Sequence, residues 1–395
     1  MRRSTRLLRL GSYLLAVFSL VVWVGALAGV AGVWAPDSYP KLDFFAFYAA
    51  SSLALDGDAA DAYDRRLLFE EEKKLPGDDT GYQPWRNPPH ALFLVLPLSL
   101  LPVAGAMAAW GAATAVFALS AVRRFSRDQT VLFMSVAFPA VFLNLFVGQN
   151  GLVTAGLFGW GIALLPSRPV LAGAAFGALT YKPQFFPLVL LALLAARQRT
   201  AAAATAASAA VLALASLAVF GMDAWEGFLS TASRSADEVY SGQIHLGKVQ
   251  SVTAVLLLAG VPDLVTQAMQ AAVSLACAGF VVWLWRRSLA LEYKASGLAL
   301  ATLLATPYSY PYDFTFLGLA VLWLGLKVAE SRRRPWEVAA LAASWAVPGL
   351  MPLVMSYGVP PGPFFAVALL AILAWRVRGQ PLVVPRRVAP SELVV

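Results

Sequence analysis

The chain has 395 residues, 59% of them hydrophobic and only 13% charged, with a formal net charge of +8. Soluble domains carry roughly 25% charged residues, so a water-soluble monomer is close to excluded. One cysteine, Cys277, rules out a disulfide framework, and two histidines, His90 and His245, leave little for a metal centre.

Four arginines, Arg2, Arg3, Arg6 and Arg9, precede an apolar run from Tyr13 to Val33. The run is longer than the core of a signal peptide, and more apolar runs follow, so it reads as an uncleaved first helix. Further runs lie near 91–121, 129–147, 150–165, 169–181, 184–196, 201–220, 264–285, 295–308, 313–328, 336–353 and 362–376. At ~20 residues per crossing these predict about twelve spans, an all-α polytopic membrane protein in which 1–395 is one transmembrane domain. Pro97 and Pro102 predict a break in 91–121, because proline removes an interior hydrogen bond.

With the N-terminus inside and the spans alternating, the outer side receives nine of the 30 basic residues: Lys41, Arg65, Arg66, Lys73, Lys74, Arg86, Lys182, Arg234 and Lys248. The other 21 share one side. The charge is therefore a positive-inside signature rather than a nucleic-acid footprint, and no nucleic-acid partner is expected. Both termini and the tail 377–395 fall in the cytoplasm. Two longer outer loops, 34–90 with interfacial helices and 221–250, face the exterior.

The first outer loop opens LDFFAFYAASSLALDGDAADAYD. Apolar positions 44, 45, 48, 49, 52, 53 and 55 suit an interfacial amphipathic helix with Asp43 before it. Asp43 is either its N-cap or a base held at the lipid–water boundary, and the sequence leaves both open. Asp56–Gly57–Asp58 matches the Asp-x-Asp of metal-dependent transferases but reads as a turn. Glu70 to Lys74 reads as a solvated helix face with paired charges. Next, Pro84, Pro88 and Pro89 impose an extended path on Trp85, Arg86 and Asn87. Trp85 serves either as a membrane-interface anchor or in the site, and Arg86 is a candidate phosphate ligand.

Gln149 and Asn150, in the turn GQNG, can hydrogen-bond hydroxyls. Lys182 sits between two apolar runs with Tyr181 and Gln184 beside it, either snorkelling to the boundary or binding phosphate. His245 and Lys248 offer donor or acceptor contacts in the second outer loop. The run ATPYSYPYDF holds Tyr310, Tyr312 and Asp313 in irregular backbone, tolerated at membrane depth only where it is buried in protein or lines a wet cavity. An ionisable group at that depth is a functional candidate by default.

Taken together, these segments resemble glycosyltransferase family 87, the polyprenyl-phosphate-mannose-dependent membrane transferases of the GT-C class. LDFFAFYAASSLALDGDAADAYD, PPHALFLVLPLSLLP, GQNGLVTAGLF, LTYKPQFFPLVLLALL, GKVQSVTAVLLLAG and LLATPYSYPYDF follow one another in order from about Asp43 to about Leu326. The resemblance implies a lipid-facing site at the outer boundary, with the aspartate after the first span, here Asp43, as general base. Where family members often carry Trp and His, this chain has Tyr310 and Tyr312 with Asp313 next, so a histidine's role there does not carry over.

The chemistry expected is transfer of a mannose-like hexose from a polyprenyl-phosphate carrier to a lipid or glycan hydroxyl, with inversion. Asp43 takes the hydroxyl proton, and Lys182, Arg86 and Lys248 hold the phosphate. Trp85, Asn87, Gln149, Asn150, Tyr181, Gln184, His245, Tyr310, Tyr312 and Asp313 are the candidate substrate contacts. No metal or cofactor is called for, and a monomer in the cell's inner membrane is expected. The alternative is a transporter or flippase of lipid-linked sugars. Such folds often show repeated halves and midplane sites, whereas the polar groups here cluster on one side.

Overall fold

The computed structural model describes residues 42–76, 81–331, 334–356 and 358–378, together with Val17. Apart from Val17, the expected first span at 13–33 lies outside the described residues, as does nearly all of the tail 377–395. No strand occurs among those described.

In chain order the helices are α1 (Phe44–Leu55), α2 (Arg65–Glu72), α3 (Leu92–Val95), α4 (Val103–Phe125), α5 (Gln129–Val136), α6 (Pro139–Val147), α7 (Gly151–Leu164) and α8 (Pro169–Ala178). They continue as α9 (Phe186–Ala195), α10 (Arg199–Tyr240), α11 (Val252–Leu258), α12 (Asp263–Trp285), α13 (Leu291–Ala305), α14 (Thr315–Glu330), α15 (Pro335–Ser356) and α16 (Gly362–Val377). Each apolar run from 91 onward became helix. The break expected in 91–121 is present: α3 ends before Pro97, and α4 begins after Pro102.

Among the described residues four helical stretches are long and apolar enough to cross a membrane alone: α4, α10, α12 and Pro311–Glu330. The pair α5–α6, bent by 45° at Pro139, would make a fifth. Several other apolar runs are helices of 10–17 residues, shorter than a ~20-residue span. Prolines account for the shortness. Pro89, Pro169 and Pro183 each open one of these short segments, where the missing N–H costs nothing.

Three expectations are corrected. Helix α1 is not one-sided: Phe44, Phe45, Ala46, Phe47, Ala49, Ala50 and Ser51 are all buried, so its first two turns are core. The face of Glu70 to Lys74 is not wholly solvated. Lys73 pairs with Glu70 and Lys74 with Glu71, but Glu72 is buried and accepts the Gln83 N–H at 3.2 Å. The stretch 221–250 is not mostly loop, since α10 continues to Tyr240 past a break at Gly221 (φ 80°, ψ 174°). Past that break Ala224, Phe228, Thr231, Ser235 and Val239 form one buried face. Gly227 lies so close to Tyr63 that a Cβ there would be 2.8 Å from the Tyr63 Cβ. The Asp56–Gly57–Asp58 turn is as read, with Gly57 at φ 94°.

Two buried clusters divide the interior. The larger runs through α7–α9 and α12–α16, where the Phe316 ring stacks on Phe158 (4.6 Å) and on Phe185 (4.9 Å). The smaller joins α1, Trp85, the 91–98 turns, Tyr181 and the part of α10 beyond Gly221. The candidate site lies where the two meet.

Candidate active site

Asp43 is the first residue to place. A capping aspartate has extended backbone and accepts N–H groups from the first turn. Asp64 and Asp128 do this for α2 and α5, accepting from Arg66 and Leu67, and from Thr130 and Val131. Asp43 is helical (φ −56°, ψ −23°) and caps nothing. Its Oδ2 instead accepts from Gln149 Nε2 at 2.9 Å. The Gln149 amide is held in that sense by its own Oε1, which accepts the Asn150 N–H at 3.2 Å. Burial raises the Asp43 carboxyl above its ordinary 3.8, with the Gln149 bond and the Lys248 charge opposing.

The turn that presents Gln149 depends on glycine. Gly148 has φ 71°, in the left-handed region, and a Cβ there would lie 2.5 Å from Phe44 Cβ. Trp110 Nε1 donates to its carbonyl at 3.1 Å. Gly151 closes the turn, and a Cβ on it would meet the Tyr312 carbonyl at 2.3 Å.

Through that contact the 148–151 turn meets the 306–314 segment. Asn144 Nδ2 donates to the Tyr312 carbonyl at 2.8 Å, and Thr315 Oγ1 to the Gly151 carbonyl at 2.9 Å. Asp313 Oδ2 accepts the Tyr310 N–H at 2.9 Å, and its Oδ1 accepts from Lys182 Nζ at 2.5 Å. Both side chains of this ion pair are nearly dry, at 8% and 3% exposure. The Lys182 ammonium also lies 5.2 Å from the centre of the Tyr312 ring, which stacks on Tyr310. Tyr181 braces the same end, donating to the Asn150 carbonyl at 2.9 Å and bonding Thr154. From the other side Gln250 and Ser309 exchange two bonds of 2.7 Å, Gln250 N to Ser309 O and Ser309 Oγ to Gln250 O.

Arg86 enters from the extended 81–88 segment, where its Nη2 donates to Glu238 Oε2 at 2.6 Å. Arg86, Glu238, Asp43 and Asp313 all lie within electrostatic reach of Tyr310, whose hydroxyl is pushed up chiefly by burial.

The arrangement thus brings together Asp43, Gln149, Asn150, Tyr181, Lys182, Tyr310, Tyr312 and Asp313, with Arg86 and Lys248 at the edge. It does not bring in four other candidates. Trp85 is 1% exposed and packs edge-on against Phe47, a core residue rather than an interface anchor. The Asn87 carbonyl serves Tyr63 Oη at 2.8 Å. Gln184 is half-buried in the Pro183–Phe185 turn, and His245 is exposed. Among the described residues no three His, Cys, Asp or Glu side chains gather as a metal site.

Beside the polar cluster lies an apolar cavity of about 660 Å³. Leu145, Leu152 and Thr315 line it near the cluster, Gly325, Val328 and Trp345 farther away. Val116 and Val136, 67% and 54% exposed, line its open side.

A family model for glycosyltransferase family 87 matches residues 85–307, more than half of the chain. The chain belongs to glycosyltransferase family 87. It is therefore a membrane glycosyltransferase. No curated protein and no solved structure matches it. The matched stretch of this family 87 transferase contains Arg86, Gln149, Lys182, Glu238 and Lys248. Asp43, Tyr310, Tyr312 and Asp313 lie outside it and join the site through the contacts above.

Sequence reasoning passed over Glu238 and Asn144. Glu238 is one acid among several on α10, and its pairing with Arg86 spans 152 positions. Asn144 sits inside an apolar run. A buried amide there, 1% exposed, was the available signal.

Proposed function

We propose that this transferase moves a mannose-like hexose from a polyprenyl-phosphate carrier to a hydroxyl of a lipid or glycan acceptor at the outer face of the inner membrane, with both termini cytoplasmic. The observation that carries the reading is Asp43, a desolvated carboxylate that caps no helix and is aimed by Gln149. A base with a raised pKa is better matched to removing a proton near neutral pH.

In the proposed step the Asp43 carboxylate takes the acceptor O–H proton. The acceptor oxygen forms a bond to the anomeric carbon on the face opposite the phosphate. The bond from that carbon to the phosphate oxygen breaks, and polyprenyl phosphate leaves with the electron pair, so configuration inverts. Lys182 was the first choice from sequence for the phosphate, but its charge is committed to Asp313. Arg86 and Lys248, at the exposed edge, are therefore the phosphate ligands, and Lys182 positions the Tyr310–Asp313 turn. The stacked Tyr310 and Tyr312 rings offer a face and hydroxyls to the sugar. The apolar cavity takes the isoprenoid tail. Its mouth faces lipid, and its near end is lined by Thr315, whose bond to the Gly151 carbonyl ties the two site turns together.

The test is to incubate purified protein in lipid vesicles with a panel of radiolabelled polyprenyl-phosphate hexoses and membrane extract, then identify the labelled product. Inverted transfer of one hexose supports the reading. Movement of labelled lipid between leaflets with no transfer would instead support a flippase.

A further inference from the structure

The two ion pairs at the site differ in surroundings. Lys182–Asp313 is dry, while Arg86 and Glu238 retain 31% and 28% exposure. A buried pair is costly to separate, because each partner left behind is an uncompensated charge. A half-exposed pair is worth little and can be exchanged. Arg86 is thus the cation best able to change partners. Only its Nη2 is engaged by Glu238, and a guanidinium has five N–H donors.

Glu238 itself is firmly presented. It sits on the last turn of α10, three residues beyond Ser235, the fourth of the five buried anchors that follow Gly221, with Val239 adjacent as the fifth. Its carboxylate is therefore a fixed charge rather than a loop side chain that happens to lie near. Three carboxylates, Asp43, Asp313 and Glu238, and three cations, Arg86, Lys182 and Lys248, gather about the tyrosine pair, so the formal balance is zero. Each negative charge brought in by a ligand is then uncompensated unless it displaces one already there.

We propose that Glu238 fixes the charge of the donor this site accepts: it is the built-in counter-ion of Arg86, exchanged for one phosphate charge and repelling a second. This rests on the donor reading above. A sugar phosphodiester carries one negative charge and takes over Arg86 from Glu238. A sugar diphosphate diester carries two and meets the displaced carboxylate, with only Lys248, whose charge already acts on Asp43, left to share. The same repulsion favours product release, because the polyprenyl phosphate left after transfer is a monoester with about −1.5 to −2 charge at pH 7.

The experiment measures binding of radiolabelled polyprenyl-phosphate hexose and polyprenyl-diphosphate hexose, matched in sugar and chain length, to the full-length protein in vesicles without acceptor. Wild type should bind the monophosphate at least about tenfold more tightly than the diphosphate, a difference set by one like-charge contact at partial exposure. Glu238→Gln keeps the shape and an acceptor for Arg86, and should tighten the diphosphate more than the monophosphate, closing most of that gap. Equal binding of the two lipids by wild type overturns the proposal, and needs no variant to fold. Equal gains for both lipids in Glu238→Gln also overturn it. If both lipids bind with the predicted discrimination yet wild type transfers no hexose when acceptor is supplied, the transferase reading fails and the charge rule stands.

Discussion

Asp64 and Asp128 stand before α2 and α5 much as Asp43 stands before α1, yet only the first two act as caps. Their backbones are extended and their carboxylates turn back to the N–H groups of the helix they start. Asp43 is already helical, and its carboxylate turns away to a glutamine 106 positions distant. Burying a carboxylate while declining the nearest N–H donors costs stability. Natural proteins keep such arrangements mainly where the group has other work. The same contrast separates the two regions of the chain: the cap sites are solved locally, the candidate base only by tertiary contacts.

The largest expected effect breaks that comparison directly. Asp43→Asn should lower the transfer rate by on the order of 10²–10⁴-fold, because an amide cannot accept the proton. Asp64→Asn and Asp128→Asn, in the same assay, should leave transfer unchanged, since Asn caps as well as Asp. Stability should move the other way. Native Asp43 keeps its proton at pH values where the unfolded chain has lost it, so stability falls as pH rises through the window above 3.8. At neutral pH Asp43→Asn lacks that cost and should melt no lower than wild type.

Next in size is Lys182→Met, which leaves Asp313 buried and unpaired. Unfolding measurements should show a loss of about 3–5 kcal/mol, most of it recovered when Asp313→Leu is added. If Lys182→Met instead leaves stability unchanged and weakens only donor use, Lys182 is a phosphate ligand after all. A smaller effect is expected from Gly325→Leu, whose side chain would project into the cavity where nothing lies within 4 Å of a built Cβ. The KM for a long-chain donor should rise roughly tenfold through lost tail burial, while that for a short-chain analogue stays constant.

Much of the helical layout was legible because lipid imposes long apolar runs and proline marks their breaks. Asp43, Lys182 and Asp313 were legible for the converse reason: an ionisable group beside apolar sequence stands out. What was hidden depends on distance in the chain. The part of α10 beyond Gly221 was taken for loop because Gly221 ends the apolar run, and the face that follows is carried partly by small or polar residues, Ala224, Thr231 and Ser235. Its 3–4 spacing was the available signal. The pairing of Lys182 with Asp313, and of Arg86 with Glu238, joins residues 131 and 152 apart, so neither could be read from spacing. Trp85 shows the opposite failure. Its flanking prolines suggested a boundary anchor, but Phe47 on α1 covers it, and α1 was expected to lie on the membrane surface rather than in the core.

The central claim is that Asp43 is the base, and the pH dependence of kcat/KM tests it most directly. A base whose carboxyl is raised by burial works only above its own pKa, so activity should fall on the acid side with a midpoint above the ordinary 3.8. The residual activity of Asp43→Asn should lack that limb. An acid limb of the same midpoint in the Asn variant, or a wild-type profile that stays flat down through 3.8, would contradict the assignment.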